Sequence, residues 1–182
     1  MRSTLSTPRG LIIIRPATEA DAAALGDLRI EALRNHPDAF SAELERHLDR
    51  PMEFWIDWVR DRNNGQTAIV FVAEAGDALI GMTGLHGSGN PKTRHSGLIW
   101  GVYVRPDWRG LRIADRLIEA CIDWARERDL RVVKLAAVTT NAAAIRCYLR
   151  CGFSVYGVEP QAIFHDSAYY DELLMSREVP RD

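Results

Sequence analysis

One stretch of this chain, residues 102–153, limits the folds open to it more than any other. Val102-Tyr103-Val104 ends a β-type run and meets a turn, Arg105-Pro106-Asp107-Trp108. Arg109-Gly110-Leu111-Arg112-Ile113-Ala114 then opens a helical pattern lasting to about Arg128, with Ile113, Leu117, Cys121 and Trp124 on one face. A second strand, Val132 to Val138, runs into Thr139-Thr140-Asn141, a helix carrying Tyr148 and ending at Cys151, then Gly152-Phe153. Strand, helix, strand and helix in that order call for a sheet with helices packed against it. The first helix start offers unpaired backbone N–H groups beside arginines, a natural seat for a pyrophosphate. The second half offers a polar tip with a phenol beside it. Together they point to an enzyme that holds a phosphorylated carrier and transfers a group from it.

The flanking sequence extends this frame. Leu11 to Arg15 is a β-branched run that Pro16 stops, and Thr18 with Asp21 can cap the following helix. Leu25, Leu28 and Leu33 give that helix an apolar stripe to about Asn35, where His36-Pro37-Asp38 breaks it. Ser41 to Asp49 reads as a short helix, and Pro51 starts another that carries Phe54, Trp55, Trp58 and Val59. After the turn at Asn63-Asn64-Gly65, Ala68–Ala73 and Ala78–Leu85 form a hairpin about Gly76-Asp77. Residues 84–97 read as a long polar loop, Leu98–Val104 as a strand, and Phe153–Val158 and Glu172–Glu178 as the last two strands. The expected class is mixed α/β, with a mostly antiparallel sheet of about seven strands and helices on both faces. Residues 1–10 are expected to form a flexible tail and 11–182 a single domain.

Composition narrows the function. A formal net charge of −2 argues against a protein built to coat nucleic acid. No run reaches the roughly 18 apolar residues of a membrane span, and the polar first ten residues lack the apolar core of a secretory signal. Three cysteines, an odd number, fit a reducing compartment, so the expected location is the cytoplasm. Cys147 and Cys151 share a helix face and could be half a metal site; no second cysteine pair or nearby histidine completes it, and no metal is expected. Arg105, Arg109, Arg112 and Arg116 surround the helix start against Asp107 and Asp115, and Gly110 lets a ligand approach the backbone. Taken alone, this turn also reads as an ordinary solvated helix start. The Walker pattern and the Gly-x-Gly-x-x-Gly fingerprint are both absent.

From about residue 12 to 179 the order of elements resembles the GNAT acyltransferase superfamily, and two motifs carry the likeness. Val104-Arg105-Pro106-Asp107-Trp108 followed by Arg109-Gly110-Leu111-Arg112-Ile113-Ala114 is similar to the family's phosphate turn, with Arg112 where the family has its inner glycine. Asn141-Ala142-Ala143-Ala144-Ile145-Arg146-Cys147-Tyr148, closing on Cys151-Gly152-Phe153, resembles its Asn-x-x-Ala-x-x-x-Tyr-x-x-x-Gly-Phe segment. The resemblance implies an acetyl-coenzyme A-dependent N-acetyltransferase that moves an acetyl group directly to a primary amine of a small molecule or peptide in a ternary complex. A non-catalytic acyl-coenzyme A sensor of the same fold is the alternative.

The likeness also assigns roles. The turn from Arg109 to Ala114 would cradle the diphosphate, the backbone of Val102, Tyr103 and Val104 would pair with the pantetheine arm, and Asn141 would hold the arm's amide or adjacent backbone. Tyr148 would serve as general acid to the departing thiolate. Some relatives place a basic Glu where this chain has Ala136, which leaves Glu43, Glu45, His47 or His165, each equally readable as a solvated group. The acceptor groove would lie between residues 35–60 and 158–170. Dimerisation is common in this fold class, and no dedicated interface stands out in the sequence.

Overall fold

The apolar runs pair into one sheet. The computed structural model describes residues 2–180. Strands β1 (Ser3–Thr7), β2 (Gly10–Pro16), β3 (Ala68–Ala75), β4 (Ala78–Gly87), β5 (Ser96–Val104), β6 (Val132–Val138), β7 (Ser154–His165) and β8 (Ala168–Glu178) form an eight-stranded sheet in the order β1-β2-β3-β4-β5-β6-β8-β7. Every neighbouring pair is antiparallel except β5 and β6. The class is the expected one.

Helices α1 (Ala22–Asn35) and α2 (Met52–Arg62) cover one face, and α3 (Ile113–Glu127) and α4 (Ala142–Arg150) the other. On α3 the expected stripe of Ile113, Leu117, Cys121 and Trp124 is sealed against the sheet. Leu25 and Leu28 do the same on α1, where Leu33 is also buried, each such side chain contributing roughly 1.5–3 kcal/mol by leaving water. Trp55, Trp58 and Val59 of α2 are buried as core, as their helical spacing implies.

A charged clamp fixes how α1 leaves the sheet. Thr18 and Asp21 form the expected capping box, and Arg15 of β2 donates to both Asp21 oxygens, at 2.7 and 2.8 Å, and to Glu74 of β3 at 2.6 Å. Burial opposes the Asp21 charge, but the hydrogen bonds from Arg15 and Thr18 outweigh it and hold its carboxyl below the usual range.

Several boundaries differ from the expectation. Ser3–Thr7, read as part of a tail, is the edge strand β1 in register with β2. Its alternation is too polar to stand out, and the backbone ladder together with the Thr7 hydroxyl bond to the Gly10 carbonyl (2.8 Å) makes the hairpin. The loop expected over 84–97 is shorter, because β4 runs to Gly87 and β5 starts at Ser96. Within Ser41–Asp49 only a single helical turn forms, Leu44–Arg46. The last two strands are longer than expected and join through Asp166 and Ser167, both with positive φ, the backbone of a tight hairpin turn. Helix α3 begins at Ile113 and not at Arg109; a short 3₁₀ turn, Pro106–Trp108, precedes it.

Candidate functional site

The site begins with a failure of two strands to stay together. β5 and β6 pair in parallel only at Ser96–Leu98 against Val132–Lys134. Further along, the β4–β5 ladder slips register between Met82 and Gly84, and Gly101 takes φ +65°. Such a bulge adds a residue on one side and turns the strand. The β6-facing edge of Val102–Val104 is left without a ladder partner. A cavity of about 590 Å³ fills the gap, with Val102–Val104 on one wall and Val138, Thr140 and Asn141 on the other.

The start of α3 closes one end of this cavity. Arg112 is its N-cap residue, at φ 61° and ψ 22°, and its side chain does not cap the helix. The first intrahelical bond runs from Arg116 N to Arg112 O at 3.2 Å, so the N–H groups of Ile113, Ala114 and Asp115 have no backbone partner. All three residues line the cavity. Gly110, at φ +81°, has no protein atom within 4 Å of the point a Cβ would occupy, so the backbone there is open to close approach.

Of the residues singled out in the sequence, Val102, Tyr103, Val104, Arg109, Gly110, Arg112, Ile113, Ala114, Asn141 and Tyr148 all border this cavity. Leu111 does not; its half-buried side chain packs on the core. The Tyr103 hydroxyl turns toward α1 and donates to Glu31 at 2.9 Å. The arginines are less concentrated than their spacing suggests. Arg105 pairs with Glu31 at 3.0 Å, and Arg109 donates to the Val104 carbonyl at 3.0 Å and lies 2.9 Å from His36 Nε2. Burial and the Arg109 charge lower the pKa of His36. Arg112 reaches forward to Asp115.

Asn141 accepts from the Ala144 N–H at 3.1 Å and so caps α4 at the border of the cavity. Two turns on, Tyr148 is buried beside Phe153. Burial, with smaller contributions from Cys147, Cys151 and Glu172, pushes its phenol pKa up, so the proton is retained.

Asp115 completes the cysteine pair in a way the sequence conceals, because it comes from a different helix. Its carboxylate accepts from Cys147 Sγ at 3.4 Å and from Arg150 at 2.9 and 3.1 Å. Burial disfavours its charge, yet Arg150, Arg112 and the Cys147 thiol hold its pKa below the usual range. Ligand atoms of Asp115, Cys147 and Cys151 lie within 4.8 Å of one another. A cation there would have to displace both guanidinium groups.

On the other side of Phe40 lies a second cavity of about 460 Å³, bordered by Glu43, Glu45 and His165. Among the base candidates, Glu43 is paired with Arg46, and His47 has Nδ1 2.9 Å from the Glu43 carbonyl, with burial lowering its pKa. The sequence reading overlooked Glu172. In the β6–β8 ladder it faces Val138, two positions from the Leu174 that faces Ala136. It is half-buried, and burial plus the nearby Glu159 charge raise its pKa. Only the strand register brings it beside the place that Ala136 leaves without a carboxylate.

A family model described as the acetyltransferase (GNAT) family matches residues 29–153. The chain belongs to that family. It is 31% identical over 105 residues, 57% of its length, to the L-methionine sulfoximine/L-methionine sulfone acetyltransferase of Pseudomonas aeruginosa, and spans 60% of that relative's length. The fold is similar to the ribosomal-protein-alanine N-acetyltransferase of Brucella melitensis, with TM-score 0.79 and 29% identity over 91% of this chain and 98% of that one. It is also similar to a Salmonella typhimurium structure solved with its cofactor acetyl-CoA, with TM-score 0.81 and 23% identity over 94% of this chain and 95% of that one.

Arg112 is the strained point of the site. A left-handed backbone costs a non-glycine residue roughly 1–2 kcal/mol, and a cation at a helix N-terminus is also unfavourable. Arg112→Gly is therefore expected to raise the unfolding free energy by about 0.5–1 kcal/mol, after the greater entropy of glycine in the unfolded chain is subtracted. Urea denaturation measures it; a loss of stability would show that the Asp115 contact outweighs the strain.

Proposed function

We propose that the chain is an acetyl-coenzyme A-dependent N-acetyltransferase acting on a primary amine of a small molecule or peptide by direct transfer. One observation carries the reading: the uncapped start of α3 and the unpaired edge of β5 open onto the same cavity. A diphosphate fits the N–H groups of Ile113, Ala114 and Asp115, where the helix dipole favours an anion. A pantetheine arm, which carries amides, fits the edge of Val102–Val104 as an added strand, pairing with the backbone of Val102 and the Val104 N–H, since the Val104 carbonyl already accepts from Arg109.

The co-substrate supplies an acyl group activated as a thioester. Backbone N–H at the β5 bulge, near Val102, would donate to the carbonyl oxygen as negative charge builds there. Tyr148, protonated and bordering the same cavity, would donate to the departing sulfur. Glu172, with its raised pKa, would accept the amine's proton, directly or through water. The reading of a non-catalytic binder leans on Arg112 and on the missing carboxylate at Ala136. Arg112 leaves the helix-start amides free, and Glu172 stands close in register to Ala136.

Gly110→Asp places a negative charge at the phosphate seat without meeting protein atoms. Calorimetry is expected to show coenzyme A binding weakened about tenfold or more; equal affinity would move the phosphate elsewhere. Tyr148→Phe is expected to lower kcat about a hundredfold while coenzyme affinity stays near native, read by thiol release. Unchanged turnover would remove the acid role. In the native enzyme kcat/KM is expected to rise with pH through an ionisation above the ordinary carboxylate range, as Glu172 loses its proton. Glu172→Gln should abolish that limb of the profile, and an unaltered limb would assign the base to another group.

A further inference from the structure

Arg29 has no hydrogen-bond or ion-pair partner among the described residues. It lies on α1 within the buried stripe of Leu25, Leu28, Ala32 and Leu33, and is 7% exposed. Its Nε is sealed from solvent without a hydrogen bond; Nη1 and Nη2 are not sealed, and no hydrogen bond joins them to a described residue. Among the described residues no carboxylate offsets the charge: burial and the neighbouring Arg62 both act against it and bring its pKa down to about 10. Burial likewise lowers the pKa values of His47 and Arg62, and Arg29 and Arg62 add to the effect at His47. The Phe40 ring, 5.5 Å from the Arg29 guanidinium carbon, offers a cation–π contact but satisfies none of the N–H donors. A buried guanidinium left this way is costly, and buried charges are as a rule paired.

Position says what the missing partner is. Phe40 borders both cavities, and so stands between the coenzyme site and the groove on the acceptor side. Arg29 Nη1 lies 3.6 Å from the point where a Cβ on Gly101 would sit. Gly101 is the left-handed residue of the β5 bulge, and Val102 after it lines the coenzyme cavity. An anion held by Arg29 would therefore sit beside the place where the acyl group is delivered. A guanidinium presents parallel donors that match a carboxylate.

We propose that Arg29 binds the carboxylate of the acceptor, and that the acceptor is a small amine bearing such a group close to its nitrogen, as in an α-amino acid. The inference rests on the acetyltransferase reading above and names its substrate class. The glycine at position 101 is part of the design, since a side chain there would fill the approach to Nη1.

The test uses the native enzyme, acetyl-coenzyme A and matched acceptors, the proteinogenic α-amino acids against their α-carboxamides, with thiol release as the readout. Loss of one charge-assisted pair corresponds to about tenfold to a hundredfold, so at least one acid is expected to exceed its amide in kcat/KM by that factor. The excess should lie mainly in KM, and Arg29→Gln should bring the ratio toward one. Because that variant can fail to fold, native protein saturated with coenzyme A is also heated with each acid and amide, where only acids should raise Tm. Amides as good as acids, a preference that survives Arg29→Gln, or no acid acetylated or bound by a protein that does bind coenzyme A would each overturn the inference alone. Failure to bind coenzyme A would instead overturn the function on which it rests.

Discussion

The parting of β5 from β6 after their short parallel ladder is the constraint on which this molecule turns. A parallel pair held throughout would satisfy both strand edges and leave no cavity between the layers. The slip at Met82–Gly84 and the left-handed Gly101 swing Val102–Val104 away from β6, and of the backbone groups so exposed only the Val104 carbonyl finds a described partner, Arg109. The same parting brings the start of α3 and the tip of β6 to the two ends of one opening, so strand edge, helix start and Tyr148 share a space that none of them creates alone.

Charge is arranged around that opening with restraint. Arg105 and Arg109 are engaged by Glu31, Val104 and His36, and Asp115 is neutralised by Arg112 and Arg150. What remains for an incoming anion is mostly backbone, fixed by the helix itself. This accounts for how an arginine can occupy a turn position where the family uses glycine. The turn needs the backbone conformation and the amide, and Arg112 provides both at the expense of local strain.

Much of this was legible in the residues. The strand–turn–helix and Asn-to-Tyr segments have strong periodicity and firm caps, and Val132–Val138 appears with the expected bounds. The class of fold followed from them, and so did the strand-edge, helix-start and Asn141–Tyr148 parts of the cavity lining, while His36, Asp38, Ala39 and Phe40 come from the loop after α1. What escaped notice depends on register and on side-chain direction. β1 is too polar to look like a strand, and β7 and β8 extend past the expected bounds into a hairpin tip where Ile163 and Phe164 pair across with Tyr170 and Tyr169. Arg105 turns to Glu31 on α1 and Arg109 back to the Val104 carbonyl, which spacing cannot reveal. Glu172 becomes relevant only because the ladder sets it near Ala136. Arg29 did leave a trace: it falls at the fourth position after Leu25 on an apolar stripe, where a charged residue is out of place.

The sheet ends at one side in β1, five residues long and largely polar, laid along β2, whose Ile12 and Ile14 are fully covered. Arg9, in the turn between them, stacks over Trp108 and donates to the Asp107 carbonyl, which moors the hairpin to the approach of α3. β1 thus acts as a fender for a hydrophobic ladder. Without it, a flat row of amides flanked by isoleucines would offer a template for another molecule to add itself, the usual first step toward aggregation. Anything appended upstream of this strand, such as a purification tag, inherits a structural neighbour and is best separated from it by a flexible spacer.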